Sequence, residues 1–209
     1  MIKELEELPY FTLANLALYL KDKKNAGVYA SNWMKKKEIY RIRDGIYVSS
    51  KKVSEIPLSG KMNSYNEFIA TNLIYTPSYL SLEYVLFENG ILSENVYHFT
   101  LVSTKKTANF KNHFWKFIYH SIKPDFFSGY TLIEKDGFII YKATPEKALF
   151  DWFYFKRGII WEESYFRELR LNMENVHLGR FEKLLNKHKS KKIDRVFIFL
   201  KKLKWSEKA

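Results

Sequence analysis

The spacing of apolar residues in the first fifty positions changes from that of a helix to that of a strand. Residues 13–20 place Leu and Ala at i, i+3, i+4 and i+7, and Thr12 before them is a suitable N-cap. Residues 26–37 repeat the helical spacing, whereas residues 39–43 alternate between apolar and polar positions. Asp44 and Gly45 then form a two-residue turn signal before a second strand. The pattern predicts two helices followed directly by a β-hairpin.

A short helix before this segment is predicted by Ile2, Leu5 and Leu8, and Pro9 ends it. Three helices followed by a hairpin is the element order of a winged helix-turn-helix, whose last helix and hairpin (the wing) contact DNA. We therefore predict a winged helix-turn-helix DNA-binding domain in residues 1–60. A basic helix and hairpin on the surface of some other α+β domain is the alternative that this pattern leaves open.

Beyond residue 60 the pattern predicts a second, larger domain in residues 61–209. Residues 49–63 mix Ser, Lys, Pro and Gly without a clear period and are our candidate linker. The remaining elements begin with helices at 65–75 and, capped by Thr76, at 78–89, followed by strands at 96–103 and 114–120 and a hairpin at 131–134 and 138–142. A helix at 145–155 is capped by Thr144, and further helices follow at 162–171, 180–188 and 193–205. The predicted fold class is α+β: an N-terminal winged helix-turn-helix followed by a larger mixed α/β domain with a helical C-terminus.

Positive charge is concentrated at the two ends of the chain. The formal net charge of +12 divides into +4 for residues 1–60, zero for residues 61–169 and +8 for residues 170–209. Residues 21–52 alone hold ten Lys or Arg against three Asp or Glu, so this charge lies on the predicted turn, helix and hairpin. Such a cluster attracts a phosphate backbone by counterion release. A solvated lysine-rich face is the alternative explanation.

The last two predicted helices carry a second basic patch between their apolar stripes, formed by Lys189, Lys191, Lys192, Arg195, Lys201 and Lys202. This patch has three interpretations: an extension of the DNA footprint, a surface for an acidic protein partner, or a solvated face. All three stay open at the level of sequence.

The composition argues against several classes of site. The chain has no cysteine, which excludes disulfides and thiolate zinc sites, and its five histidines lack metal-ligand spacing. A phosphate-binding Gly-rich loop, a nucleophile elbow and a nuclease carboxylate–lysine motif are all missing, so we expect no catalytic site, metal or cofactor. The acidic N-terminus and the lack of a long apolar run predict a cytoplasmic protein without membrane association.

Three segments carry a resemblance to a known family: RIRDGIYV at residues 41–48, TPSYLSLEYVLFENGIL at 76–92 and ATPEKALFDWFYF at 143–155. In this order, over residues 10–160, they resemble the wing and two second-domain segments of the AbiEi family, the antitoxins of type IV (abortive-infection AbiE) toxin–antitoxin systems. In the last segment we expect Glu146 to interact favourably with the helix dipole. We expect Asp151 to make a structural hydrogen bond or ion pair.

The resemblance implies a DNA-binding repressor of its own operon that also counteracts a cognate nucleotidyltransferase-like toxin. It implies that the N-terminal domain binds inverted repeats in double-stranded promoter DNA and that the second domain is needed for neutralisation. Carried over to this chain, the DNA contacts fall on the recognition helix and wing, at Ser31, Asn32, Lys35, Lys36, Arg41 and Arg43. An Asn side chain can bond adenine, a Ser hydroxyl a base or a phosphate, and cationic side chains phosphates.

The aromatic and aliphatic residues of the same segment have a different expected role. Tyr29, Trp33 and Ile46 are expected to lie in the core of the domain. Two other functions stay open for the chain as a whole: a winged-helix module that docks another protein, and a plain transcriptional regulator without a toxin partner.

Overall fold

A computed structural model describes residues 3–113 and 115–206. Its N-terminal part contains three helices and a small antiparallel sheet of strand order β1-β3-β2. The elements are α1 Lys3–Glu6, β1 Phe11–Thr12, α2 Leu13–Leu20, α3 Ala26–Lys35, β2 Ile39–Arg43 and β3 Ile46–Ser49. Thr12 caps α2 as predicted, because its hydroxyl accepts from the Asn15 amide while the Asn15 side chain accepts from the Thr12 amide. A first core holds these elements together and comprises Leu5, Phe11, Leu16, Ala26, Ala30, Ile39 and Tyr47.

The segment predicted as a linker is helical, so that prediction is wrong. Helix α4 spans Ser50–Leu58 and begins where the Ser49 hydroxyl accepts from the Lys52 amide. The sequence signal was weak because only Val53 and Ile56 supply apolar contacts, and Ile56 alone is buried. Helix α5, Met62–Ile69, follows Gly60 and continues into a π-helix, Ala70–Ile74.

The second part of the chain is built on a six-stranded mixed sheet of order β6-β7-β5-β4-β9-β8. Its strands are β4 Ser78–Leu80, β5 Phe99–Ser103, β6 Ala108–Lys111, β7 Lys116–Ser121, β8 Tyr130–Lys135 and β9 Phe138–Ala143. The predicted helix at 78–89 is therefore wrong in its first turn, since β4 precedes a shorter helix, α6 Leu82–Glu88. Tyr79 and Leu80 are fully buried as strand residues, and this pairing within the sheet overrides the local N-cap signal at Thr76.

Helices cover both faces of this sheet. Tyr119 of β7 donates to the carbonyl of Ala70, which places α5 and the π-helix on one face. Tyr79 of β4 lies on the opposite face, by the register of the strands, and donates to Asp151. That residue belongs to α7 Pro145–Phe155, on which the C-terminal helices α8 Glu163–Glu168, α9 Leu178–Lys187 and α10 Lys191–Ser206 are assembled. The mixed α/β fold class is confirmed.

Thr144 caps α7 as predicted, its hydroxyl accepting from the Lys147 amide. The hairpin of β8 and β9 and the helical C-terminus are also found where the sequence placed them. Within residues 3–113 and 115–206, no helix combines the length and the apolar character that crossing a bilayer requires.

Candidate nucleic-acid interface

Helix α3 separates a buried face from a polar one. Ala26 and Ala30, one turn apart, are buried against α2, and Trp33 and Met34 pack beside them. The helix starts after a turn in which Asp22 accepts from both the amide and the side chain of Asn25. Because a helix repeats every 3.6 residues, the face turned away from the core carries Val28, Ser31, Asn32 and Lys35.

The predicted contact residues on α3 are accessible. Asn32, Lys35 and Lys36 are exposed and Ser31 is half-buried. The expectation that Tyr29 lies in the core is wrong, since 41% of its surface is exposed and its ring contacts Trp33 from the solvent side, with 6.4 Å between centroids. Trp33 and Ile46 are partly buried and do pack on the cores. The accessible face of α3 therefore combines hydrogen-bonding, cationic and aromatic groups.

The hairpin beside α3 is short and sharply turned. Asp44 and Gly45 form its turn, with Gly45 at φ +74°, a conformation that glycine adopts without strain. The strands shift register between Arg41 and Arg43. Arg41 is exposed at this point and lies 3.3 Å from the Asp44 carboxylate. An exposed pair of this kind is weak, so Arg41 can exchange Asp44 for a phosphate at little cost.

Arg43 has a different environment that the sequence did not reveal. Its Nη1 donates to the carbonyl oxygens of Leu73 and Ile74, at 3.0 and 2.8 Å. These carbonyls lie at the end of the π-helix, so the guanidinium joins the hairpin to the second part of the chain. We therefore assign Arg43 to this junction. Because the residue is exposed, its DNA contact stays a prediction, and the DNA-binding proposal is built on the other five residues.

The second basic patch is only partly a continuous surface. Lys191, Arg195 and Lys202 are exposed and follow one stripe of α10, at i, i+4 and i+11. The guanidinium of Arg195 lies over the Trp161 ring, 4.4 Å from its centroid. Lys189 and Lys201, by contrast, line a cleft that also contains Glu182 and Asp194.

Lys192 is turned into the protein and does not contribute to a cationic surface. Its Nζ donates to the carbonyl oxygens of Tyr154 and Lys156, at 2.9 and 2.6 Å, where α7 ends. Burial lowers the pKa of this ammonium. The whole patch is also remote from α3 in the architecture, because α10 packs on α7 whereas Arg43 attaches the hairpin to the opposite face of the sheet.

The charged residues of α7 form a buried network. Lys147 Nζ lies 2.6 Å from Asp151 Oδ1 and also donates to the carbonyl of Phe126. Tyr79 and Ser81 donate to the other carboxylate oxygen, at 2.9 and 2.8 Å. Burial raises the pKa of the Asp151 carboxyl, and the Lys147 ammonium acts in the opposite direction. The predicted structural role of Asp151 is confirmed, since its buried carboxylate forms an ion pair with Lys147 and accepts two hydrogen bonds.

Glu146, next to this network, has a tertiary partner in addition to its place in the first turn of α7. It is buried, and its Oε1 accepts from the backbone amide of His177 at 3.1 Å. Among the described residues, no group of three or more His, Asp or Glu side chains is arranged to hold a metal ion.

No protein-family model matches this chain, and no curated protein matches it in sequence. Its function is therefore argued from its own residues and from the motif resemblance of residues 41–48, 76–92 and 143–155.

Proposed function

We propose that this protein is a cytoplasmic winged-helix repressor of its own operon and an antitoxin of the AbiEi type, which acts by binding and not by catalysis. In this proposal α3 enters the major groove of promoter DNA and the hairpin of β2 and β3 is the wing. Asn32 and Ser31 contact bases or phosphates, while Lys35, Lys36 and Arg41 contact phosphates.

One observation carries the DNA-binding part of the proposal: the face of α3 turned away from the core is polar from Ser31 onward and ends in the basic residues Lys35 and Lys36. On the opposite face of the helix, the small residues Ala26 and Ala30 pack α3 closely on α2. Asn32 and Lys35 are thereby left accessible on the other side. The accessible guanidinium of Arg41 lies on the adjacent hairpin, so helix and hairpin together offer a cationic surface of the kind that recognises duplex DNA.

The antitoxin part of the proposal is supported by the sequence resemblance. The family-like segments at residues 76–92 and 143–155 supply Tyr79, Ser81, Lys147 and Asp151, which meet in the buried network of α7. These four residues, which lie in the family-like segments, therefore stabilise the second part of the chain together. The toxin-neutralising surface would then be carried on the outside of this scaffold.

A second candidate function, docking of another protein, is favoured by a groove of about 550 Å³ between α2 and α3. Its lining is apolar except for Lys23, and Leu18 on its rim is 75% exposed. Apolar surface of this kind is typical of protein-binding sites. A winged helix used in this way would not need the polar face of α3.

Binding to a duplex from upstream of the gene, compared with a scrambled duplex, separates these two candidates. We expect tighter binding to the upstream duplex. Asn32→Ala should reduce that preference by about 1–3 kcal/mol, because the substitution removes one bidentate hydrogen-bonding group that reads a base. Equal affinity for both duplexes would contradict a sequence-specific repressor.

The antitoxin part of the proposal is tested by co-expression with a neighbouring nucleotidyltransferase-like gene. We expect this protein to restore the growth of cells that the product of that gene inhibits.

A further inference from the structure

A cavity of about 310 Å³ lies beside the π-helix, away from the proposed DNA-contacting residues. Strand β4 pairs with β9 through Leu80 and Lys142, and the cavity lies next to the part of β4 that precedes this bridge. Its lining comes from the π-helix, the start of β4, the segment before β8, and β8 and β9 themselves. The residues are Thr71, Asn72, Thr76, Pro77, Ser78, Phe127, Tyr130 and Tyr141.

The chemistry of this lining favours an uncharged ring. Among the described residues that line the cavity there is no Asp, Glu, Lys, Arg or His, and Phe127, Tyr130 and Tyr141 supply three aromatic rings. Tyr130 is held in place by stacking on Tyr79, with 4.6 Å between centroids and 15° between planes. Aromatic walls with a few hydroxyl and amide groups suit a flat heterocycle that has hydrogen-bonding groups on its edge.

Ser78 provides a polar group without a partner in this cavity. The residue is 4% exposed, and its buried Oγ has no hydrogen-bond partner among the described residues. Leaving a buried hydroxyl unsatisfied is destabilising, and a ligand that bonds to it would remove that cost. The side chain of Asn72, nearby, is fixed by donation to the carbonyls of Phe68 and Ile139, at 3.1 and 2.9 Å. The cavity lining thus combines one unsatisfied buried hydroxyl with an amide side chain that is already held in place.

The π-helix connects this cavity to the hairpin of β2 and β3. Thr71 and Asn72 line the cavity, and the carbonyls of the next two residues, Leu73 and Ile74, accept from Arg43. Segments of π-helix are rare and are frequent at functional sites. A ligand that shifts Thr71 or Asn72 therefore acts on the anchor of the hairpin within one turn of the same element.

We propose that this cavity binds an uncharged heteroaromatic compound of nucleobase to nucleoside size and that its occupancy alters DNA binding through the π-helix and Arg43. Ser78 supplies the hydrogen bond to the ring edge and Tyr141 supplies a wall. The regulatory half rests on the proposed DNA-binding function, whereas the binding half does not.

The binding half is tested on the full chain without DNA, with adenosine and uridine as probes and ribose as the comparison that lacks a base. Saturation-transfer NMR should show saturable binding of at least one nucleoside, with the base protons more strongly saturated than the ribose protons. Ser78→Ala should weaken binding by about 5-fold or more, the value of one hydrogen bond, while the exposed Ser121→Ala should not. A lack of saturable binding at millimolar concentrations, or equal affinity in Ser78→Ala, overturns the proposal.

The regulatory half is tested by DNA affinity with and without the bound nucleoside. We expect a shift of about 5-fold or more in the wild type and little shift in Arg43→Gln, since that variant lacks the connection. Ligand binding with unchanged DNA affinity overturns the regulatory half alone. If no DNA is bound, the proposed function fails, and the NMR result still decides the ligand site.

Discussion

Arg41 and Arg43 lie two residues apart on β2, yet their guanidinium groups have different surroundings. Arg41 faces solvent beside Asp44, whereas Arg43 donates twice to the end of the π-helix. A local sequence pattern does not show a contact between residues 30 positions apart, so both residues were predicted to contact DNA. Local signals succeeded where the partner is near, as at the caps Thr12 and Thr144.

Substitution of the two arginines should therefore have different effects on the free energy of unfolding. Arg43→Gln should lower the free energy of unfolding by about 1–3 kcal/mol, because the substitution removes two charge-assisted hydrogen bonds to carbonyls. Arg41→Gln is the matched control and should change it by less than about 0.5 kcal/mol. Urea denaturation followed by circular dichroism measures both. Equal stability of the two variants would mean that Arg43 does not support the junction.

His188 predicts a pH dependence at the end of α9. The side chain is buried, its ring stacks on Phe126 at 5.3 Å, and its Nε2 lies 2.7 Å from the Ser128 hydroxyl. Burial is the main cause that lowers its pKa below the usual 6.5, and the charges of Lys147 and Lys187 act in the same direction. The folded state therefore favours the neutral ring.

Since the unfolded chain binds this proton more readily, the stabilising effect of the neutral ring is present above pH 6.5 and is lost as the pH falls below it. We expect His188→Gln, which keeps a hydrogen-bonding group towards Ser128, to lose less stability than the wild type between about pH 7.5 and pH 5.5. Denaturation midpoints at the two pH values measure this. Parallel losses in both proteins would exclude His188 as the titrating group.

At the scale of elements, helices and strands with strong hydrophobic periodicity were predicted correctly, whereas those with weak periodicity were not. The stripes of α2, α7 and α10 and the turn of the β8–β9 hairpin were each located from spacing and turn residues. Helix α4 was missed because its buried surface is small, and β4 was mistaken for a helix because its burial comes from strands far along the chain. Strand β6 was not predicted because it is short and only half-buried at the edge of the sheet.

Helix α10 yields a prediction about the second basic patch. Its exposed stripe of Lys191, Arg195 and Lys202 belongs to the face of the sheet opposite the π-helix, to which the hairpin is attached. One duplex held by α3 should not reach it, so the stripe suits an acidic protein surface better. Replacing all three by Gln should leave the salt dependence of DNA binding unchanged. A decrease of about 0.9 in the log–log slope for each residue would show that the stripe contacts DNA.

At the scale of the whole molecule, the two parts of the chain are more closely joined than a linker would allow. Ile42 and Val48 of the hairpin strands pack in the same core as the six-stranded sheet. The Tyr65 hydroxyl donates to the carbonyl of Pro9 at 2.7 Å, which adds a second connection besides Arg43. The mixed α/β class followed from the sequence, but this junction did not, because each of its contacts joins segments that local patterns treat separately.

The first core gives the DNA-binding proposal a definite geometry, since Ile39 and Tyr47 of the hairpin strands pack there with Ala26 and Ala30 of α3. The surface that should meet the phosphates then consists of Lys35 and Lys36 at the end of the helix and Arg41 on the hairpin. These three exposed side chains make the proposal specific enough to test together.

The most direct test is the affinity for the upstream duplex as a function of salt concentration, in the wild type and in the variant Lys35→Gln, Lys36→Gln, Arg41→Gln. We predict a steep decrease of affinity with salt for the wild type. In the variant the log–log slope should be smaller by about 0.9 for each phosphate that the protein no longer neutralises. An affinity and a slope that are the same in both proteins would contradict the assignment of α3 and the hairpin as the DNA-binding surface.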